Sequence, residues 1–261
     1  MTTDFPAHAE YLAFAETLAD QSRRMLLAVK GSVPKVDIKS DASFVTTADK
    51  AVEPALRAMI QETYPDNGIL GEEFNNINID ADFVGVLDPI DGTAAFVAGI
   101  PVYGTLIGLA WQGQPYVGVI DHPITSDRWT GVSGRMAEHN GMPVRVRACA
   151  SVETAYATCS NADFMSDTER AQFDVLRKRA QYVQYGGSCY SYGVLASGRT
   201  DLAIDSGLDS FDIYAPAAVI QGAGGYVTDW NGDPVTLDME GHVLAAGDKA
   251  RLDEAVSILK G

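Results

Sequence analysis

Apolar and small side chains recur at Leu12, Ala15, Ala19, Ser22, Leu26 and Val29. Their alternating three- and four-residue steps predict an amphipathic helix over 11–29. A polar stretch, Gly31–Ser43, follows and carries Pro34, Lys35 and Lys39. Val52, Leu56 and Ile60 then predict a second helix to about Thr63, with Thr47 as its cap. Pro54 lies inside that pattern and predicts a kink or a later start. Phe83–Leu87 reads as a short buried strand that stops at Asp88-Pro89. Thr105–Trp111 and Tyr116–Asp121 flank Gln112-Gly113-Gln114-Pro115, a hairpin signal, and Arg128–Val132 adds a third strand.

Beyond a composition break near Pro143–Ser151 the pattern alternates strand and helix. Strands are expected at Tyr156–Ser160, Asp201–Asp205, Gly225–Trp230 and His242–Ala246. Helices are expected near Ser166–Ala180, Cys189–Ser197, Phe211–Gln221 and Lys249–Lys260. The fold class is therefore α/β (α+β) in layers. Two halves, about 1–147 and 148–261, are expected to pack as a single unit, since no flexible linker separates them.

Charge narrows the function classes. The 261 residues hold 19 Lys and Arg against 35 Asp and Glu, a formal charge of −16. That balance argues against a nucleic-acid partner, which needs clustered cations, and against an anionic membrane surface. No run reaches the roughly 18–20 apolar residues of a membrane span. The start of the chain lacks a basic segment followed by an apolar block, so no signal peptide is expected. Cys149, Cys159 and Cys189 have no C-x-x-C spacing and read as thiols in a reducing, cytoplasmic setting.

The candidate chemistry lies in the acids. A buried strand delivers Asp88, Pro89 forces a turn, and Asp91 returns three positions later. Two carboxylates converging at a strand end repel unless a cation lies between them, and hard oxygen ligands suit magnesium or manganese. Gly92-Thr93-Ala94 offers backbone N–H groups to a phosphate at a helix start. Glu72 and Glu73 form an adjacent pair after Ile69-Leu70, and Asp49 and Asp212 each open a helix. An Asx-Pro turn, a solvated turn and two helix caps would account for these acids one by one.

Taken together, Gly71-Glu72-Glu73, Asp88-Pro89-Ile90-Asp91-Gly92-Thr93, and Phe211-Asp212 with Gly222-Ala223-Gly224-Gly225 resemble the magnesium-dependent inositol monophosphatase family. The resemblance runs from about Lys39 to Asp233. It implies a layered αβαβα sandwich and metal ligation by Glu72, Asp88, the Ile90 carbonyl, Asp91 and Asp212. It implies that Asp49 and Thr93, with Glu72, are the catalytic groups that orient and activate the attacking water. Gly92 and Thr93 would donate to the phosphate. It further implies two or three Mg2+ per site, with Mn2+ able to substitute, and a homodimer.

Within the family, Val102–Ile107, Ile120-Asp121-His122-Pro123 and Gly186–Gly193 look like the histidinol-phosphate phosphatase branch. Ala94, Ser188 and Asp209-Ser210 depart from that branch, where Lys, Asp and Lys-Pro are frequent; Ala94 and Ser188 leave the alcohol open. Gly187, Ser188, Asp205 and Asp212 are the expected substrate-binding residues, and a carboxylate at 205 would suit the ammonium and imidazole of histidinol phosphate. The expected activity is hydrolysis of a small phosphorylated alcohol, L-histidinol phosphate first. Inositol-1-phosphate or another sugar or nucleotide phosphate is the alternative. A partner-binding protein with incidental phosphatase activity is the third reading.

Overall fold

The computed structural model describes residues 8–39 and 44–261. The first helix, α1 (His8–Ala28), buries Ala15, Leu18, Ala19, Ser22 and Leu26. Val29, expected on that face, lies past the helix end and is exposed. The polar stretch forms β1 (Val36–Ile38), paired antiparallel with β2 (Phe44–Thr46); its residues 40–43 lie outside the described residues. The second helix, α2 (Asp49–Thr63), buries Val52, Leu56 and Ile60 as its periodicity requires. Thr47 does not cap it: Ala48 holds the cap position with no side-chain bond. Nor does Pro54 delay it. The helix begins five residues earlier, and the ring removes only one backbone donor near the helix start.

A seven-stranded sheet follows in the order β3 (Gly68–Gly71), β4 (Phe83–Asp91), β5 (Gly104–Trp111), β6 (Gln114–His122), β7 (Asp127–Val132), β8 (Met136–His139) and β9 (Met142–Pro143). Only β3 and β4 pair in parallel; the other neighbours are antiparallel. β4 does not stop at Asp88, as the sequence pattern suggested. Pairing with β5 continues to Asp91 through a one-residue register shift between Asp88 and Asp91. A bulge of this kind tolerates Pro89, which has no donor to give the ladder, and re-aims the side chains around it. The short helix α3 (Thr93–Ala98) then starts from Gly92, whose φ of 76° is open to glycine at no steric cost.

The second sheet has the order β11 (Tyr182–Tyr185), β10 (Tyr156–Cys159), β12 (Leu202–Asp209), β14 (Glu240–Ala246) and β13 (Tyr226–Thr228). β12 continues four residues past Asp205, with its own bulge between Ser206 and Leu208. Helices α4 (Asp167–Arg179), α5 (Tyr190–Ala196), α6 (Ser210–Gly222) and α7 (Lys249–Lys260) complete the fold. α1 and α2 cover one face of the large sheet, α6 lies between the two sheets, and α4 and α7 lie on the far side of the small one. The result is a layered αβαβα sandwich. One core cluster draws Val84, Leu106 and Trp129 together with Ile213, Val219 and Val243, so it takes residues from both halves of the chain.

A row of three glycines sets the depth of α6. Gly108 pairs with Gly118, and Gly118 with Gly131, across β5, β6 and β7. A Cβ on Gly118 would lie 2.2 Å from the Ala215 carbonyl oxygen, and one on Gly131 would lie 2.5 Å from the Val219 Cα. A Cβ on Gly108 would meet Tyr214 at 3.0 Å. Without side chains on that row, the helix backbone comes down onto the sheet. Asp212, in the first turn of α6, is carried with it.

Candidate active site

The Asp88–Asp91 bulge and the N-terminus of α6 meet at one point. Ligand oxygens of Asp88, Asp91 and Asp212 all lie within 4.8 Å of one another. Each carboxylate is held from behind. Asp88 Oδ1 accepts the Ile90 N–H at 2.9 Å, and Asp91 Oδ2 accepts the Cys189 N–H at 2.7 Å. Asp212 Oδ2 accepts the Asp209 N–H at 2.7 Å. The helix-cap and cluster readings of Asp212 therefore both hold, because one residue serves both ends.

Burial pushes the Asp88 carboxyl well above its usual range, with the charges of Glu72, Asp91 and Asp212 adding to the shift. Asp212 is raised well above its range for the same reasons, burial first and then Asp91. Asp91 is also raised by burial, although its bond from Cys189 opposes the shift. Three carboxylates this close, Asp88 buried and Asp91 and Asp212 half-buried, are stable as anions only around a cation. The donors are all oxygen, with no imidazole or thiolate among them, which fits a hard divalent ion rather than zinc.

Glu72 follows β3, where its N–H reaches the Leu87 carbonyl at 3.2 Å. Its Oε1 and the Oε1 of Glu73 each accept from Lys39 Nζ at 2.7 Å. Burial pushes the Glu72 carboxyl up to about 7 against the pull of Lys39. The two carboxylates raise the Lys39 ammonium above its ordinary value even though burial acts the other way. Lys39 was only an unassigned loop lysine in the sequence; its position decides that the acid pair carries a cation of its own.

Asp49 is fully buried. Its Oδ2 accepts both the N–H and the hydroxyl of Thr46, each at 2.6 Å, while its Oδ1 finds no partner among the described residues. Burial raises its carboxyl above the usual range. An unpartnered buried oxygen costs free energy unless something else meets it. Thr93 Oγ1 donates to the Ile90 carbonyl at 2.9 Å, which leaves its own oxygen able to accept.

The loop before α5 closes over this centre. A Cβ on Gly92 would lie 2.8 Å from Ser188 Oγ, and a Cβ on Gly187 would lie 2.0 Å from Ser191 Oγ. Ser188 itself is left-handed, with φ 44°. Asp205 lies further in, 2% exposed. Its Oδ1 accepts the Ser160 N–H at 2.6 Å, and its Oδ2 accepts the Tyr192 hydroxyl at 2.7 Å. Burial raises its carboxyl, and its charge raises that of Asp91 in turn. Ser160 has no functional signal in the sequence, and Tyr192 has one only as part of the Gly186–Gly193 match; the parallel pairing of β10 with β12 brings Ser160 to Asp205.

His122 supports the loop rather than reacting. It is fully buried; Nδ1–H donates to the Tyr103 carbonyl at 2.9 Å and Nε2 faces Cys189 Sγ at 3.6 Å. Burial pushes its pKa down from 6.5 to about 4. The unfolded chain then takes up a proton below about 6.5 that the folded chain refuses until about 4. The sign is fixed: stability is present above 6.5 and is lost as pH falls through that window, by up to about 3 kcal/mol. Urea titrations at pH 7 and 4.5 should show this loss in the wild type and a smaller one in His122→Gln. Equal losses in both would remove the assignment.

The inositol monophosphatase family matches this sequence over residues 7–260. The chain belongs to the inositol monophosphatase family. Among its relatives is a protein named bifunctional phosphatase IMPL2, chloroplastic, from Arabidopsis thaliana, 38% identical, with 96% of this chain and 75% of that protein aligned. A histidinol-phosphatase from Chlorobaculum parvum is 33% identical over 90% of this chain and 91% of its own. The solved structure of an inositol monophosphatase from Zymomonas mobilis superposes with a TM-score of 0.89 at 34% identity, covering 98% of this chain and all of that one. This family member is accordingly a phosphoric monoester hydrolase with an inositol monophosphatase fold, and its acidic cluster could hold a metal ion. Among the described residues no helix is long and apolar enough to cross a membrane.

Proposed function

We propose that this chain hydrolyses L-histidinol phosphate to histidinol and phosphate by direct attack of water. The observation that carries the hydrolytic reading is the convergence of Asp88, Asp91 and Asp212 beside the Gly92-Thr93 turn. Divalent cations, two or three Mg2+ or in their place Mn2+, held by Glu72, Asp88, the Ile90 carbonyl, Asp91 and Asp212, would neutralise the phosphate dianion and acidify water. The backbone N–H groups of Gly92 and Thr93 bind phosphate oxygens where α3 begins. Asp49 takes the proton of the attacking water at Oδ1, the oxygen left without a partner. Thr93 Oγ1 accepts from the same water, because its own hydrogen is committed to Ile90. Glu72 helps activate it. The water oxygen bonds to phosphorus as the ester bond breaks, the leaving alkoxide takes a proton from solvent water, and Asp49 returns its own proton to solvent. No phosphoenzyme forms.

Gly187, Ser188, Asp205 and Asp212 line the alcohol side in this reading. Asp205, buried and oriented by Ser160 and Tyr192, supports a cationic alcohol such as histidinol through a charge-assisted contact. The Chlorobaculum relative, named a histidinol-phosphatase, also supports that substrate. The Zymomonas structure favours inositol-1-phosphate as a second reading. The resemblance further supports a homodimer acting late in histidine synthesis, and the three free cysteines support a cytoplasmic setting. Phosphate release with Mg2+ should be measured on histidinol phosphate, inositol-1-phosphate, fructose-1,6-bisphosphate and adenosine bisphosphate. Histidinol phosphate is expected to give the highest kcat/KM. A position near the bottom of the ranking would transfer the assignment to the second reading, and inertness on the whole panel would end the hydrolytic one.

A further inference from the structure

Asp49, Glu53 and Arg57 fall at four-residue steps along α2, so they share one helix face. Asp49 belongs to the site just described, whereas Glu53 and Arg57 have had no role. Both are buried, with Glu53 fully so and Arg57 7% exposed. Arg57 Nε donates to Glu53 Oε1 at 2.7 Å. The rest of this pair faces the loop that follows β3. Glu53 Oε2 accepts the backbone N–H of Glu73 at 2.8 Å. Arg57 Nη2 donates to the Phe74 carbonyl at 2.9 Å, and Nη1 donates to the Asn75 carbonyl at 3.0 Å. Three consecutive residues after Glu72 are thus tied by their backbones to one helix face.

Gly71 shows how closely this is fitted. A Cβ there would lie 2.2 Å from Glu53 Oε1 and 2.7 Å from Arg57 Nη2. The glycine ahead of the acid pair leaves room for the buried ion pair itself. A buried ion pair is weak support for stability, because its desolvation offsets its attraction. It does fix geometry, since a guanidinium fork and a carboxylate present donors and acceptors in set directions.

We propose that Glu53 and Arg57 are positioning residues. They hold the Glu72-Glu73 segment in register with Asp49, so that one helix face fixes both the water-side acid and the outer acids of the cluster. Neither touches substrate or a reacting atom. The proposal rests on the reading of Glu72 as a metal ligand and deepens it. Outer groups that orient ligands typically change metal affinity about 10- to 100-fold when lost.

The test is isothermal titration of the metal-stripped full-length protein with Mn2+, together with its melting temperature. Glu53→Gln keeps the size but sets an amide N–H against either the Glu73 N–H or Arg57. Arg57→Lys keeps the charge and loses the fork. Ile60→Val, on the same helix, is the control for simple destabilisation. Glu53→Gln and Arg57→Lys are expected to bind Mn2+ about 10-fold or more weakly. Ile60→Val should keep wild-type affinity at a lowered melting temperature. If Glu53→Gln does not fold, Arg57→Lys decides by the same comparison. Wild-type affinity in the two variants, or equal weakening in Ile60→Val, overturns the positioning role. A wild type that binds no Mn2+ overturns instead the metal-site reading beneath it.

Discussion

Asp91→Asn is expected to lower kcat/KM at saturating Mg2+ by about a thousandfold, the equivalent of about 4 kcal/mol of lost transition-state stabilisation. The substitution is nearly isosteric. An amide oxygen can still accept the Cys189 N–H that Asp91 Oδ2 now takes at 2.7 Å, so the loop before α5 keeps its anchor. What disappears is one negative charge among three oxygens that lie within 4.8 Å. The stripped protein should therefore be no less stable than the wild type, since a repulsion raising its neighbours has gone. Added Mg2+ should stabilise the wild type but not the variant. At a hundred times its dissociation constant a ligand contributes about 2.7 kcal/mol, or several degrees of melting temperature in a domain this size. Near-normal turnover together with an unchanged Mg2+ response would sink the assignment of Asp91.

Gly118→Ala is expected to cost about 2–3 kcal/mol and to lower the melting temperature by roughly 5–10 °C. One methyl group has this leverage because of where it points. Its carbon would lie 2.2 Å from the Ala215 carbonyl oxygen, a rigid backbone atom in the middle of α6. The helix must rise or the sheet must bend. Either shift moves Asp212 relative to Asp88 and Asp91, which sit on the sheet. Activity should therefore fall about tenfold or more even where the variant is still folded, a prediction drawn from overpacking against a geometry-sensitive site. A control at a buried position away from α6, Ile60→Val, should lose stability with little loss of kcat. If Gly118→Ala melts like the wild type, the helix is not seated on the glycine row as described.

Short-range signals read well. The periodicity of α1, the α7 boundaries and the β5–β6 hairpin follow from side chains within one turn or one strand of each other. The approach of Asp88 to Asp91 was legible for the same reason, because the two lie three residues apart. Errors came where pairing with a neighbour overrode a local stop. Pro89 reads as a strand end and Asp205 as a strand edge, yet both ladders continue through bulges. The strands β8 and β11, the latter at a sheet edge, leave no mark in the sequence because half-exposed strands carry no strong alternation.

The acids of the site were legible as types and spacing, but their partners were not. Thr46 for Asp49, Lys39 for Glu72 and Glu73, and Ser160 and Tyr192 for Asp205 depend on loops and strands arriving from elsewhere. Likewise the Cys189 N–H reaches Asp91 across 98 residues of chain. The sequence by itself determined which residues could hold a cation and a phosphate, since charge, donor type and turn chemistry belong to short segments. Only the tertiary structure decided that Asp212 joins Asp88 and Asp91. That meeting requires three separate strands to align Gly108, Gly118 and Gly131 under one helix, and a lone glycine in a strand carries no record of what will lie above it.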